Sequence, residues 1–133
     1  MNLTTYHETL SRAFEKFHVQ GLPFATSFNH FTEPDTGDPH DHPFNFVTHI
    51  LYGGYWERVF SLDGNYSDHF REPGTSHKVT AETIHLITDL PAGECYTLMV
   101  HEDIFRETRY WRFENGKPFS RLHFESEFKL YEI

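Results

Sequence analysis

The residues best suited to chemistry are two histidines, His40 and His42, which a single residue separates. In an extended chain, side chains alternate between two faces, so both imidazoles point the same way and Asp41 points away from them. Two imidazoles on one face can bind the same metal ion, at about 2.0–2.1 Å each. A chain with 11 histidines among 133 residues contains about one such pair by chance. The pair therefore predicts a metal site only together with the residues that surround it.

The composition argues against several kinds of partner. The net charge of −9, without a stripe of Lys and Arg, argues against binding to nucleic acid and equally against binding to an anionic membrane surface. The one cysteine, Cys95, rules out an intramolecular disulfide. No apolar run approaches the ~18 residues of a membrane span, and the sequence does not begin with a cationic and then apolar signal segment. The expectation is a cytoplasmic protein with no nucleic-acid and no membrane partner.

The first twenty residues carry an apolar pattern of helical period. Apolar side chains recur at steps of three and four residues, at Leu3, Tyr6, Leu10, Phe14 and Phe17. Thr5 and Glu8 have the spacing of a capping box, and Gly21-Leu22-Pro23 is a stop signal. The pattern predicts a short N-terminal helix over about residues 3–18, packed outside the rest of the domain.

Beyond Pro23 the chain has the pattern of strands separated by turn signals. The candidate strands are Phe24–Phe31, Phe44–Tyr52, Tyr55–Leu62, Tyr66–Arg71, Thr75–Thr80, Thr83–Thr88, Cys95–Val100, Thr108–Glu114 and a last stretch around Leu122–Leu130. Turn signals such as Asp63-Gly64 and Asn115-Gly116 recur about every ten residues, with no helical pattern between them. This spacing is typical of an all-β sandwich or barrel. We therefore predict one domain over residues 1–133, with the barrel at about residues 24–130.

Two histidine motifs, each accompanied by glycine, resemble those of the cupin superfamily. The first family motif, His-x-His followed at a distance by Gly, fits His40 and His42 with Gly53 or Gly54. The second is Gly, five residues, Pro-x-Gly, two residues, His, three residues, Asn; it fits Gly74, Thr80-Ala81-Glu82, His85 and Asp89. The resemblance implies a cupin-type double-stranded β-helix, a small jelly-roll barrel in which a third histidine faces the pair.

A narrower resemblance is to a group of small bacterial and phage cupins with a His-Asp-His-Pro signature. The matching residues are His30-Phe31, Asp35, His40-Asp41-His42-Pro43, Ile50-Leu51, Gly53-Gly54-Tyr55, Glu57, Pro73-Gly74, Ala81, His85, Thr97-Leu98, Trp111 and Phe113. They cover roughly residues 28 to 113. This match supports the fold, and it implies no particular activity.

The sequence departs from both cupin motifs. The position of the first motif's glutamate falls on Phe46 or Val47, neither of which can bind a metal. The proline and glycine of the second motif are replaced by Thr80 and Glu82. A competing register, Pro73-Gly74-Thr75-Ser76-His77, offers His77 in place of His85 as the third histidine.

The resemblance therefore predicts His40, His42 and His85 as metal ligands, in the preferred register. Asn45 and His49 are the candidates for a fourth ligand. Neutral three-histidine sites occur among cupins that activate dioxygen with ferrous iron, including thiol and diketone dioxygenases. A divalent transition metal is expected, with Fe favoured and Zn, Ni, Cu or Mn left open.

Three functions fit this pattern. The first is a mononuclear, dioxygenase-like metalloenzyme that acts on a small anionic molecule inside an apolar barrel. The second is a cupin that binds a small molecule and catalyses nothing. The third is a metal-free sugar isomerase or epimerase, with a histidine as base and a tyrosine as acid. Cupins often dimerise through their sheets, so the resemblance also implies a homodimer.

Further polar side chains on the predicted strands are candidates for the barrel interior. They are Tyr55, Glu57, Arg58, Tyr96 and Arg112, although residues of these types are more often ordinary strand residues. An arginine in the barrel mouth would indicate a substrate with a carboxylate, which guanidinium binds through two hydrogen bonds. Asp41 is a candidate to orient a metal ligand as a hydrogen-bond acceptor.

Overall fold

Twelve β-strands make up the regular secondary structure of residues 2–132, the part of the chain that the computed structural model describes. They are β1 (Thr4–Ser11), β2 (Phe14–Gln20), β3 (Ala25–Phe31), β4 (Phe46–Tyr52), β5 (Tyr55–Phe60), β6 (Tyr66–Arg71), β7 (Ser76–Val79), β8 (Ile84–Asp89), β9 (Cys95–His101), β10 (Arg109–Glu114), β11 (Lys117–Leu122) and β12 (Lys129–Leu130). These residues include no helix, and so none with the length and apolarity needed to cross a membrane. The all-β prediction is confirmed.

The predicted N-terminal helix is wrong, because residues 4–20 form a β-hairpin. β1 and β2 pair antiparallel, and β2 in turn pairs with β3. Phe14 stands opposite Phe31, with ring centroids 4.3 Å apart. Apolar residues at steps of three and four are compatible with a helix, but such a pattern does not exclude a strand where a sheet edge is free to pair. The backbone hydrogen bonds to β3 and this aromatic contact outweigh the local pattern.

Two antiparallel layers enclose the interior. One is a six-stranded sheet in the order β1-β2-β3-β9-β4-β7. The other combines two three-stranded sheets, β6-β5-β8 and β10-β11-β12. His40 connects these two, because it forms β-bridges both with His85 of β8 and with Tyr110 of β10. The segment that carries the histidine pair is therefore built into the second layer rather than lying on the surface as a loop.

The strands predicted between residues 24 and 114 agree with β3 to β10 to within about two residues. The last predicted strand, Leu122–Leu130, is not continuous, because β11 ends where it was expected to begin. Asn115 and Gly116 both have positive φ, 51° and 74°, as a two-residue hairpin turn requires. The return strand therefore starts directly after this turn, at Lys117.

The buried core consists of two apolar clusters. One contains Ile50, Tyr55, Ile87, Leu90 and Cys95, with Phe31 packed against it. The other contains Phe46, Val79 and Met99, with Phe44 packed against it. Members of both clusters line a single cavity between the layers. The core is therefore interrupted by an internal space, which the histidine motifs also reach.

Candidate metal centre

The backbone of His40 is paired directly with that of His85. The His40 N–H donates to the His85 carbonyl at 3.2 Å, and the His85 N–H donates to the His40 carbonyl at 3.0 Å. On its other side the segment bonds to β10, since Trp111 N–H donates to the Pro39 carbonyl at 2.8 Å. His42 is held further along, where its N–H donates to the Ala81 carbonyl at 3.0 Å. Residues 45 positions apart in sequence are thus locked side by side by main-chain hydrogen bonds.

The three imidazoles converge on one point. One ring nitrogen from each of His40, His42 and His85 lies within 4.8 Å of the other two. The Nε2 atoms of His42 and His85 are 3.0 Å apart, and the rings of His40 and His85 have centroids 4.9 Å apart. Three nitrogen donors at this separation can share one ion, and imidazole is a ligand for divalent transition metals. The donor set therefore fits such a metal.

Burial keeps the imidazoles of His40 and His42 unprotonated. Burial first, and then the neighbouring His85 and His40, lower the pKa of His42 to about 2. Burial and the proximity of His85 likewise lower the pKa of His40. Only a neutral imidazole has a free lone pair for a metal. Both rings of the His40-x-His42 pair are consequently in the ligand form at neutral pH.

Glu57 fixes the orientation of the third ring. Its Oε2 atom lies 2.6 Å from Nδ1 of His85, and its Oε1 atom accepts from Nε and Nη2 of Arg71 at 3.0 and 2.7 Å. Its side chain is only 1% exposed. Burial opposes ionisation, but the hydrogen bonds from His85 and Arg71 outweigh it and lower the pKa of Glu57 to about 2. The carboxylate accepts the Nδ1 proton of His85, which leaves Nε2 as the donor atom for a metal.

Asp41 anchors the segment between the two histidines. It is 1% exposed, and it does not contact either flanking imidazole. Its carboxylate accepts from the Arg109 N–H at 2.6 Å, from Trp111 Nε1 at 3.1 Å and from Arg106 Nη2 at 3.2 Å. Asp41, whose side chain points away from the site, therefore ties the segment with the two histidines to β10 and to Arg106, which precedes β10.

The histidines open onto a cavity of about 200 Å³. Its wall is mainly apolar and includes Leu10, Phe14, Phe31, Phe44, Phe46, Tyr55, Val79, Ile87 and Met99. The polar residues of the wall are Lys16, Asn29, Asp35, Thr48, Glu57 and Thr97, beside the three histidines. The volume is below the range of about 300–1,000 Å³ that is usual for drug-sized ligands. The cavity suits a small molecule with an apolar part.

Several solved structures share this architecture. The chain is similar to hydroxypropylphosphonic acid epoxidase from S. wedmorenis, with a TM-score of 0.60 and 12% identity over 74% of this chain and 55% of that one. It is similar to oxalate decarboxylase from Bacillus subtilis, with a TM-score of 0.61 and 18% identity over 80% of this chain and 30% of that one. It is also similar to the capsular polysaccharide assembling protein CapF from Staphylococcus aureus, with a TM-score of 0.61 and 14% identity over 77% of this chain and 29% of that one.

The chain has the cupin fold. The fold expectation is thereby confirmed, except for the helix. The chain spans about half the length of the epoxidase and less than a third of the other two proteins. No family model matches the sequence, and no curated protein matches it either. Membership of the narrower group with the His-Asp-His-Pro signature stays a prediction.

The alternation of β4 shows which residue takes the place of the cupin motif's glutamate. Phe46, Thr48 and Ile50 are buried, and Phe46 and Thr48 line the cavity. Val47 and His49 lie on the opposite face of the strand. An aromatic ring, whose centroid is 4.9 Å from that of His42, thus stands where the motif has a carboxylate.

The two candidates for a fourth ligand lie outside the histidine cluster. Asn45 donates to Glu102 at 2.9 Å and accepts from the Ala81 N–H at 2.8 Å. His49 is hydrogen-bonded to Ser76 on the neighbouring strand. The competing His77 is also apart from the cluster, and its Nε2 atom is hydrogen-bonded to the Tyr55 hydroxyl at 3.5 Å.

The five further candidates divide between the cavity and the surface. Tyr55 and Glu57 line the cavity, and both are buried. Arg58 pairs with Asp68 at 2.9 Å, and Arg112 pairs with Asp38 at 3.1 Å. Tyr96 is 41% exposed and stacks on His30, with centroids 4.3 Å apart. None of these last three contributes to the cavity wall.

Sequence analysis did not name five polar residues of the wall as site candidates: Lys16, Asn29, Asp35, Thr48 and Thr97. Asn29 and Thr97 carried a signal, because each lies two residues from an apolar residue of its predicted strand, Phe31 for Asn29 and Cys95 for Thr97, and so shares that residue's face. Lys16 carried none, since residues 3–18 had been assigned to a helix. Its place in the cavity depends entirely on the hairpin and its pairing with β3.

Proposed function

We propose that this chain is a metal-binding cupin in which His40, His42 and His85 hold one divalent transition metal ion, with ferrous iron favoured. The reaction that this site suits best is the oxidation of a small anionic molecule by dioxygen. The observation that carries the proposal is the convergence of three ring nitrogens within 4.8 Å of one another. The buried carboxylate of Glu57 adds support, because it orients His85 as partners of metal-bound histidines commonly do.

The neutral donor set favours an anionic partner. Three imidazoles carry no charge, so a divalent ion held by them keeps its full charge for a substrate carboxylate, thiolate or enolate. Among the similar structures is that of Fe(II)-HppE with an alternative substrate, at 13% identity. Such a likeness shows the fold alone, and iron is therefore part of our proposal for this chain.

The chain's own residues supply position and exclusion of water. His85 is oriented by Glu57, and the segment that bears His40 and His42 is anchored by Asp41. The aromatic and aliphatic wall makes the space in front of the histidines mainly apolar, which disfavours water there. Reactive species formed there would be shielded from side reactions with solvent. We also expect a small-molecule ligand in the cavity and a homodimer in solution.

Metal analysis tests the first part of the proposal. Protein expressed without a tag should contain close to one equivalent of transition metal, and His42→Ala should lose most of it. His69→Ala is the matched control, because His69 is an exposed histidine of β6 whose ring contacts Ser67. Equal metal content in wild type, His42→Ala and His69→Ala would disprove metal binding at this site.

Oxygen uptake tests the second part. Iron-loaded protein should consume dioxygen with at least one member of a panel of small thiols, diketones and hydroxylated aromatics, whereas His42→Ala should not. No uptake above the His42→Ala control, at confirmed iron occupancy, would instead support a cupin that binds a small molecule without catalysis.

A further inference from the structure

The N-terminal hairpin contributes a lysine to the cavity. Lys16 of β2 stands opposite Asn29 of β3, and Asn29 stands opposite Thr97 of β9. Directly opposed residues of antiparallel strands project from the same face of a sheet. The three side chains therefore lie in one row across three strands, on the face that lines the cavity.

The row has the features of a polar binding surface. Asn29 and Thr97 are 3% and 2% exposed, and the Asn29 amide donates to the Thr97 hydroxyl at 3.1 Å. The hydroxyl of Ser27, which is 1% exposed, donates to the side-chain amide oxygen (Oδ1) of Asn29 at 3.4 Å. Polar side chains are rarely buried beside an apolar cavity without a use for their hydrogen-bonding groups. The row offers such groups to a molecule in the cavity.

Lys16 is the one lysine or arginine of the cavity wall among residues 2–132. Its ammonium lies 5.6 Å from the centroid of the Phe14 ring, and it has no ion-pair partner in that part of the chain. Burial lowers the pKa of Lys16 to about 8, so at pH 7 the side chain is still mostly protonated. Holding an ammonium without an ion pair and partly withdrawn from water costs free energy, and a bound anion would offset that cost.

The carboxylates of the wall are already engaged. Glu57 is shared between His85 and Arg71. Asp35 accepts from the Ile87 N–H at 2.8 Å. Outside the wall, Glu8 stands opposite Lys16 on β1 and favours its charged form, but the Glu8 carboxylate is itself bound to His18 at 2.8 Å. Among the described residues, Lys16 therefore has no ion pair of its own and is left for a group that comes from outside the protein.

We infer that Lys16 binds the acidic group of the cavity's ligand, which is a small organic acid held at its other end by the histidine-bound metal ion. The inference rests on the proposed function and deepens it, because it assigns the negative charge of the substrate to a group at the hairpin end of the cavity. The ligand also has an apolar part, since Phe14, Phe31 and Phe46 line the same cavity. The volume of about 200 Å³ restricts it to a small molecule.

A pair of thiols that differ only in charge provides the probe. Mercaptopropionate and mercaptopropanol both offer a thiolate to a metal, but only the first has a carboxylate at its far end. Binding to the Co(II)-loaded protein is followed through the thiolate-to-metal absorption band, with Co(II) uptake measured separately for every variant. Lys16→Met retains the apolar stem, and Lys16→Arg retains the charge. Lys78→Met is the matched control, since Lys78 is an exposed lysine of β7.

The expected result is selective. Lys16→Met should raise the dissociation constant of mercaptopropionate at least tenfold and that of mercaptopropanol less than twofold. Lys16→Arg and Lys78→Met should stay within threefold of wild type for both thiols. Equal affinities of wild type and Lys16→Met for mercaptopropionate, with Co(II) still bound, would overturn this inference and leave the proposed metal site standing. Failure of the wild type to take up Co(II) would overturn both.

Discussion

Glu57 and His85 are joined by a 2.6 Å hydrogen bond between neighbouring strands of the second layer. In the register of β5 and β8, Val59 lies opposite His85 and Glu57 lies opposite Ile87, so the two side chains are diagonal neighbours. Arg71 lies on β6, at the other side of β5, and its guanidinium is 2.7 Å from the same carboxylate. A buried negative charge is thus held between one cation and one imidazole, and it sets the direction in which that imidazole faces the cavity.

Glu57→Gln should weaken metal binding. The amide keeps the shape of the side chain but loses the charge that accepts the Nδ1 proton of His85, so the affinity should fall about 10- to 100-fold. Competition with a coloured chelator measures the dissociation constant. Glu94→Gln is the matched control, because Glu94 pairs with His30 at 2.9 Å away from the cavity. An unchanged dissociation constant in Glu57→Gln would show that the carboxylate does not orient a metal ligand.

His85→Ala and His77→Ala should differ sharply. His85 lies within the cluster of ring nitrogens, whereas His77 lies outside it and is hydrogen-bonded to the Tyr55 hydroxyl at 3.5 Å. We expect His85→Ala to lose most of the bound metal and His77→Ala to retain nearly all of it. Elemental analysis of both variants, with circular dichroism as a check of folding, makes the comparison. The opposite outcome would mean that the competing motif register supplies the third ligand.

Asp41→Asn should lower the free energy of unfolding. The substitution keeps the shape but removes the charge that faces Arg106 and places an amide next to donors such as Trp111 Nε1. A buried carboxylate with these partners should be worth about 2–4 kcal/mol. Urea unfolding measures the loss, and Asp68→Asn, in the exposed pair with Arg58, should cost clearly less than Asp41→Asn. Equal losses in the two variants would contradict the anchoring role of Asp41.

The preference for an acidic ligand should disappear as the pH rises through about 8. Burial lowers the pKa of Lys16 to about 8, so the ammonium is present below that pH and is lost above it. The thiol deprotonates equally in both probes, so the ratio of the dissociation constants of mercaptopropanol and mercaptopropionate isolates the lysine. This ratio should be largest below pH 8 and approach one above it. In Lys16→Arg the ratio should stay high above pH 8, because guanidinium remains charged. A ratio that changes with pH equally in wild type and in Lys16→Arg would exclude Lys16 as the source of the preference.

The sequence by itself determined the strands β3 to β10 and, through its resemblance to the cupin motifs, the grouping of the three histidines. Asn115-Gly116 specifies a two-residue turn, because the positive φ that such a turn requires is a property of the turn residues themselves. The spacing of the cupin motifs likewise predicted that His40, His42 and His85 meet. Their ring nitrogens do converge in the structure, while their role as ligands stays a prediction.

The tertiary structure alone decided the conformation of residues 4–20 and the contacts of Lys16 and Glu57. Residues 4–20 have an apolar spacing that both a helix and a strand can satisfy, and pairing with the edge of β3 selected the hairpin. That pairing set the register that brings Lys16 level with Asn29 and into the cavity. The partner of Glu57 depended in the same way on how β5 aligns with β8. Local sequence sets the period and the turns, but contacts between distant residues follow from sheet register and from closure of the two layers, which no short stretch of sequence encodes.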